Sequence, residues 1–147
     1  KAHFAMVVCS PYYRCMQTAA EVTRVLKIPV LIDQEIGEVW DEAMPSSGPP
    51  HRSPSELRQM AAKLGMDVAN PLLEEGNGIK LFGNRPSKHG ETTKDGHQRC
   101  LVRIQHYIEQ SDKTRQNFII VSHAPAVAAV MNIFEHGMVD VNKLDYC

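Results

Sequence analysis

Two stretches of this chain, Phe4–Cys9 and Phe118–Val121, are short and wholly apolar, and each runs through one or more polar residues into a proline. An apolar run of four to eight residues without alternation suits a strand covered on both faces, and a proline at the first helical position launches a helix. A chain that repeats strand-then-helix buries its apolar surface by laying helices on both faces of a sheet. The expected fold is therefore α/β, a three-layer αβα arrangement with a largely parallel central sheet, in one domain spanning 1–147.

The elements can be placed along the chain. His3–Cys9 is the first strand. Ser10 reads as an N-cap and Pro11 as the first helical residue of a helix over about Pro11–Lys27, whose buried stripe is Cys15, Ala19, Val22 and Leu26. Ile28–Ile32 reads as a second strand. The segment from Asp33 to Pro54, with Pro45, Pro49, Pro50 and Pro54 among serines and a glycine, reads as a long surface excursion. A second helix opens at Ser53-Pro54-Ser55-Glu56, where Ser53 and Glu56 form a capping box, and closes near Gly65. Asn70 to His89 has no period and reads as loop, with Leu72, Leu73, Ile79, Leu81 and Phe82 tucked onto the body. A third helix, about Thr93–Gln110, buries Cys100, Ile104, Tyr107 and Ile108. After the Phe118–Val121 strand, a last helix covers Ala126–Phe134 and stops at Gly137.

Composition narrows the partners. Sixteen Lys plus Arg against seventeen Asp plus Glu leave a net charge of −1, so no overall field recruits nucleic acid or an acidic membrane. The apolar runs fall far short of the ~20 residues of a membrane span. Four cysteines (Cys9, Cys15, Cys100, Cys147) contain no C-x-x-C pair, which fits a reducing compartment and a cytoplasmic location. The seven histidines form no H-x-x-x-H or H-x-H pair, and no Gly-rich nucleotide loop occurs, so neither a metal nor another cofactor is expected.

The chemistry concentrates at the strand ends. Cys9-Ser10-Pro11-Tyr12-Tyr13-Arg14 and Val121-Ser122-His123-Ala124-Pro125 share one design, and in open α/β sheets ligands bind beyond the carboxyl ends of strands, where helix N-termini expose free N–H groups. Arg14, one turn into its helix, can fold back over the rim on which His123 lies. A guanidinium fork and an imidazole converging there suit a phosphoryl group, so the predicted ligand is a phosphomonoester. Glu38, in Glu35-Ile36-Gly37-Glu38-Val39-Trp40, is a candidate general acid on the same rim, and Glu35, Asp41 and Glu42 compete with it. Tyr12 and Tyr13 either wall the entrance or cover the helix start. His51 and Arg52, next to Pro49-Pro50, read as solvated loop, with substrate contact as the alternative.

Ser10-Pro11-Tyr12-Tyr13-Arg14-Cys15-Met16-Gln17-Thr18-Ala19 closely resembles the S-P-x-x-R-C-x-Q-T-A signature of the histidine phosphatase superfamily, whose fold is called phosphoglycerate mutase-like. Val121-Ser122-His123-Ala124 resembles its second histidine motif, and Ile36-Gly37-Glu38 its short proton-donor segment. Pro54-Ser55-Glu56-Leu57 and Glu91-Thr92 through Arg99 are similar to segments of the eukaryotic branch that includes the suppressor of T-cell receptor signalling phosphatases. The resemblance implies a phosphatase working through a phosphohistidine, with Arg14 binding phosphate, His123 and Ala124 in the phosphate site, and Glu38 protonating the leaving oxygen. It also implies a nucleophile in an R-H-G motif at the end of a strand preceding S-P-x-x-R. Lys88-His89-Gly90-Glu91-Thr92 mimics that motif but follows a loop, so the chain is read as an N-terminally incomplete domain that lacks the first strand and has little or no turnover by itself. A second copy exchanging an element (a homodimer), a further segment or partial disorder would then cover the exposed edges. A phosphoglycerate mutase, a catalytically inactive phosphate-binding or scaffolding module, and an unrelated α/β protein are the alternatives. The substrate is expected to be a phosphorylated small molecule or phosphoprotein.

Overall fold

Among the described residues, Val7, Val8 and Cys9 are wholly buried in the central strand of a three-stranded parallel sheet. The structure, a computed structural model, describes residues 3–43, 52–66 and 90–134, the last three by their backbone. Strand β1 (Phe4–Cys9) pairs on one side with β2 (Val30–Ile32) and on the other with β3 (Asn117–Val121). The register sets Cys9 beside both Ile32 and Val121. All three strands therefore end level, and the turns that follow them leave from one edge.

Successive residues of a strand face opposite ways, so an all-apolar strand needs cover on both sides. Val7, Cys9, Val30 and Ile32 pack with Met16 and Ala19 of α1 (Tyr13–Leu26) and Leu57 and Ala61 of α2 (Pro54–Lys63). Val8 and Leu31 pack on the other face with Ile36 and with Tyr107 of α3 (Thr93–Thr114), against which α4 (Ala124–Phe134) lies. The result is the expected αβα layering around a small parallel sheet.

The helix boundaries follow local chemistry. Helix α1 begins two residues later than the sequence suggests: Tyr12 occupies the N-cap position without a side-chain cap, while Ser10, fully buried, turns toward the sheet edge. Its end is set by Lys27, whose φ of 57° is left-handed and whose N–H reaches the Thr23 carbonyl. Leu26 of the predicted stripe is exposed, and Met16, Ala20 and Thr23 complete the buried face instead. Helix α2 has both halves of its capping box, and Gly65 beyond it has φ +65°. Helix α3 is capped by Thr92, runs four residues past Gln110, and buries Cys100, Ile104 and Tyr107 as expected, along with Arg103. Ile108 is only half-buried. Strand β2 is shorter than Ile28–Ile32, and α4 starts two residues before Ala126.

One expectation is overturned. The segment after β2 is not a surface excursion at its start: Asp33 and Ile36 are fully buried, and Val39 and Trp40 nearly so. A buried carboxylate is tolerated where its oxygens are satisfied. Asp33 accepts the Tyr107 hydroxyl at 2.7 Å, Arg103 Nε at 2.9 Å and the Glu35 N–H at 2.9 Å. With that anchor in place, a 3₁₀ turn over Gln34–Ile36 folds Ile36 into the second apolar cluster. The Asn70–His89 loop with its five apolar residues, the middle of the proline-rich segment with His51, the Gly137 stop and Cys147 lie outside the described residues. Among the described residues, no helix is long and apolar enough to cross a membrane.

Candidate active site

Each of the three strand ends delivers one functional side chain. Beyond Cys9 the chain passes through Ser10 and Pro11 into α1, with Arg14 in its first turn; beyond Ile32 come the 3₁₀ turn and Glu38; beyond Val121 come Ser122 and His123. Because the strands end level, these converge. Arg14 NH2 lies 2.9 Å from Glu38 Oε2 and 2.8 Å from His123 Nδ1, and Glu38 Oε2 lies 3.1 Å from the same Nδ1. Of the four competing acids, Glu38 alone joins Arg14 and His123 among these contacts. Glu35 turns instead toward Arg103 at 3.5 Å, and Asp41 accepts the Ala43 N–H.

His123 is nearly buried, and its ring is held from three sides. Ser10 Oγ stands 2.7 Å from Nε2, Tyr12 packs edge-on with ring centroids 4.7 Å apart, and Cys15 Sγ lies 3.7 Å from Nε2. Two proton arrangements fit these neighbours. With Nδ1 bare, it accepts from Arg14 while Nε2–H donates to Ser10; with Nδ1 protonated, it donates to Glu38. Arg14 also lies over the Tyr12 ring, 4.9 Å from its centroid. Its side chain keeps 60% of its surface exposed, so the cation is reachable from solvent. Tyr12 is thus an inner wall of the site, whereas Tyr13 is exposed.

The electrostatics separate the candidates. Burial pushes the Glu38 carboxyl up, but the hydrogen bond to His123, the charge on that ring, the Val39 N–H and Arg14 outweigh it, so the group sits below its ordinary value and rests as a carboxylate. Cys15 beside His123 looks like a nucleophile pair, yet burial raises its thiol above the usual value, which keeps it protonated. Ala124 opens α4: the Val127 N–H bonds to the His123 carbonyl at 3.0 Å, so the Ala124 N–H stands at the positive end of that helix. Among the described residues, no group of three or more His, Cys, Asp or Glu is arranged to hold a metal ion.

Sequence reasoning brought forward Arg14, Glu38 and His123 but missed the side chains that hold them. Ser10, read as a helix cap, does accept the Tyr12 N–H at 3.4 Å, but its hydroxyl also stands 2.7 Å from His123 Nε2 and orients that ring. Ser122 Oγ donates to the Ile36 carbonyl at 2.6 Å, tying the end of β3 to the turn before Glu38. Arg99 of α3 and Glu91, just ahead of its N-cap, grip the same turn. A glycine inside α3, Gly96, was the available signal, since helix-interior glycine often marks a close approach. A Cβ there would lie 2.6 Å from Val39 Cγ2.

The fold and the rim site together define a class: an α/β protein with an arginine, a glutamate and a histidine gathered at the carboxyl edge of a parallel sheet. Among solved structures the chain is similar to an ecdysone phosphate phosphatase from Bombix mori, crystallised with tungstate, with a TM-score of 0.65 and 19% identity over 99% of this chain. The match covers 54% of that protein, so this chain spans about half its length. The likeness establishes the fold. No family model and no curated protein matches the sequence.

Proposed function

We propose that this rim is the site of a phosphomonoester hydrolase of the histidine phosphatase type. The observation that carries the reading is the mutual contact of Arg14, Glu38 and His123 within about 3 Å at the ends of three parallel strands. The motif resemblance and the fold shared with a tungstate-bound phosphatase support it, tungstate being a tetrahedral oxyanion of the phosphate shape.

Catalysis of phosphoryl transfer rests on positioning and on cationic hydrogen bonds to the equatorial oxygens. Arg14 supplies a fork of donors, His123 a further N–H, and the Ala124 N–H the helix end. In the full-length protein, an imidazole nitrogen from the R-H-G segment implied by the resemblance attacks phosphorus. The P–O ester bond breaks, and the departing oxygen takes the Glu38 proton. Water then loses a proton to Glu38 and attacks phosphorus, the P–N bond breaks, and inorganic phosphate leaves. Glu38 rests ionised, so it must gain that proton when substrate arrives. A phosphate drawing Arg14 away from Glu38 places an anion beside the carboxylate, and both changes raise its proton affinity.

The test is hydrolysis of p-nitrophenyl phosphate by the full-length protein. Arg14→Ala and His123→Ala should each lower kcat/KM by about 10²–10³-fold, the usual cost of removing one preorganised donor. Rates within threefold of wild type refute the site. Phosphoglycerate isomerisation without phosphate release would favour a mutase. Tungstate binding that depends on Arg14, with no turnover by the wild-type protein, would favour a phosphate-binding module.

A further inference from the structure

The turn carrying Glu38 has almost no regular structure, yet nearly every backbone carbonyl in it is held from outside. Arg99 NH1 donates to the carbonyls of Glu35 and Gly37, Arg99 NH2 reaches that of Glu38 at 3.4 Å, and Ser122 takes that of Ile36. The guanidinium is itself fixed by a two-pronged bond to Glu91, Nε to Oε1 and NH2 to Oε2, both 2.8 Å. Glu91 also accepts the Trp40 N–H at 3.2 Å, while the Gly90 and Glu91 amides bond to the Trp40 carbonyl. Arg99 and Glu91 keep only 14% and 10% of their side-chain surface exposed. A planar fork with five donors is the one side chain able to serve a carboxylate and several carbonyls at once.

We propose that Arg99, held flat by Glu91, is a positioning residue for Glu38, pinning the 35–38 backbone so that the carboxylate stays over the site shared with Arg14 and His123. Arg99 touches no reacting atom. The proposal rests on the reading of Glu38 as the proton donor. Buried charge pairs add little to stability compared with apolar packing of the same volume, so an ion pair spent on three loop carbonyls points to placement of that loop. A displacement of about 1 Å in a catalytic group can cost on the order of 10²-fold.

A proton donor matters most when the leaving group is poor, which gives a readout that general loss of structure does not mimic. In the full-length protein, kcat/KM would be compared for phenyl phosphate and p-nitrophenyl phosphate, whose leaving oxygen is far less basic. Glu38→Gln should lose more on phenyl phosphate. Arg99→Met should show the same skew, with about 10–100-fold loss on phenyl phosphate and a several-fold smaller loss on p-nitrophenyl phosphate. Inhibition by tungstate should change less than threefold, because Arg14 and His123 remain. If Arg99→Met does not fold, Arg99→Lys and Glu91→Gln carry the comparison, with a smaller skew in the same direction. Equal losses on both substrates, or no loss, in any folded Arg99 variant overturn the proposal while Glu38→Gln retains its skew. If Glu38→Gln itself shows no skew, the donor reading falls and the proposal falls with it.

Discussion

Substituting Gly96 by alanine sets two effects against each other. Alanine in a helix interior is favoured over glycine by about 0.8–1.0 kcal/mol. The new methyl, however, would lie 2.6 Å from Val39 Cγ2 and 3.2 Å from Cγ1, against about 3.5–4.0 Å for a relaxed carbon contact. Val39 is 7% exposed and β-branched, so it cannot easily rotate away. Overpacking of this kind costs about 1–3 kcal/mol, which leaves Gly96→Ala destabilised by roughly 0–2 kcal/mol. In a Val39→Ala background both valine contacts are gone and only the one with Glu91 Oε2 at 3.3 Å remains, so the same substitution should range from near neutral to stabilising by up to about 1 kcal/mol. Urea unfolding of the four proteins closes a double-mutant cycle, and a favourable coupling of about 1–3 kcal/mol is expected. Additivity within about 0.3–0.5 kcal/mol would refute the close packing of the Glu38 turn on α3.

Two further outcomes follow from the same geometry. Tyr107→Phe removes a 2.7 Å hydrogen bond to the fully buried Asp33 carboxylate and should cost about 1.5–3 kcal/mol in urea unfolding; a cost below about 0.5 kcal/mol would show that the hydroxyl does not support that anchor. Glu38 is held below its ordinary value of 4.5, so its ionised form contributes stability above that pH and loses it as the pH falls through the folded-state value. The stability difference between wild type and Glu38→Gln should therefore shrink between pH 6 and pH 3, and a difference that stays constant or widens contradicts the pairing.

The strand-and-helix order was legible because apolar runs without alternation leave few options other than a covered parallel sheet. Arg14 and His123 were legible as well, since each sits at a fixed offset from a strand end and the level register brings those offsets together. What the sequence hid were pairings between distant segments. Ser10 followed by proline looks the same whether its hydroxyl caps a helix or orients a histidine 113 positions away. The burial of 33–40 depends on Tyr107 and Arg103, which lie 74 and 70 positions from Asp33, and nothing local announces them. Ile36, Val39 and Trp40 were apolar residues in a segment read as solvent-facing, and weighing them above the later prolines would have corrected the reading.

Arg14 meets Glu38 across 24 positions of chain and His123 across 109, so the three parts of the rim need not assemble together during folding. The β1–α1–β2 unit carries the arginine and the glutamate on nearby segments, but the turn bearing Glu38 is fixed only when Arg99 and Tyr107 of α3 pack on it, and the histidine arrives only when β3 docks, after the larger entropic penalty of a long closure. On the proposed phosphate site, an oxyanion gripped by both Arg14 and His123 would recognise only the finished sheet. It would act as a fastener on the last step of maturation, shifting the equilibrium toward the state with β3 docked.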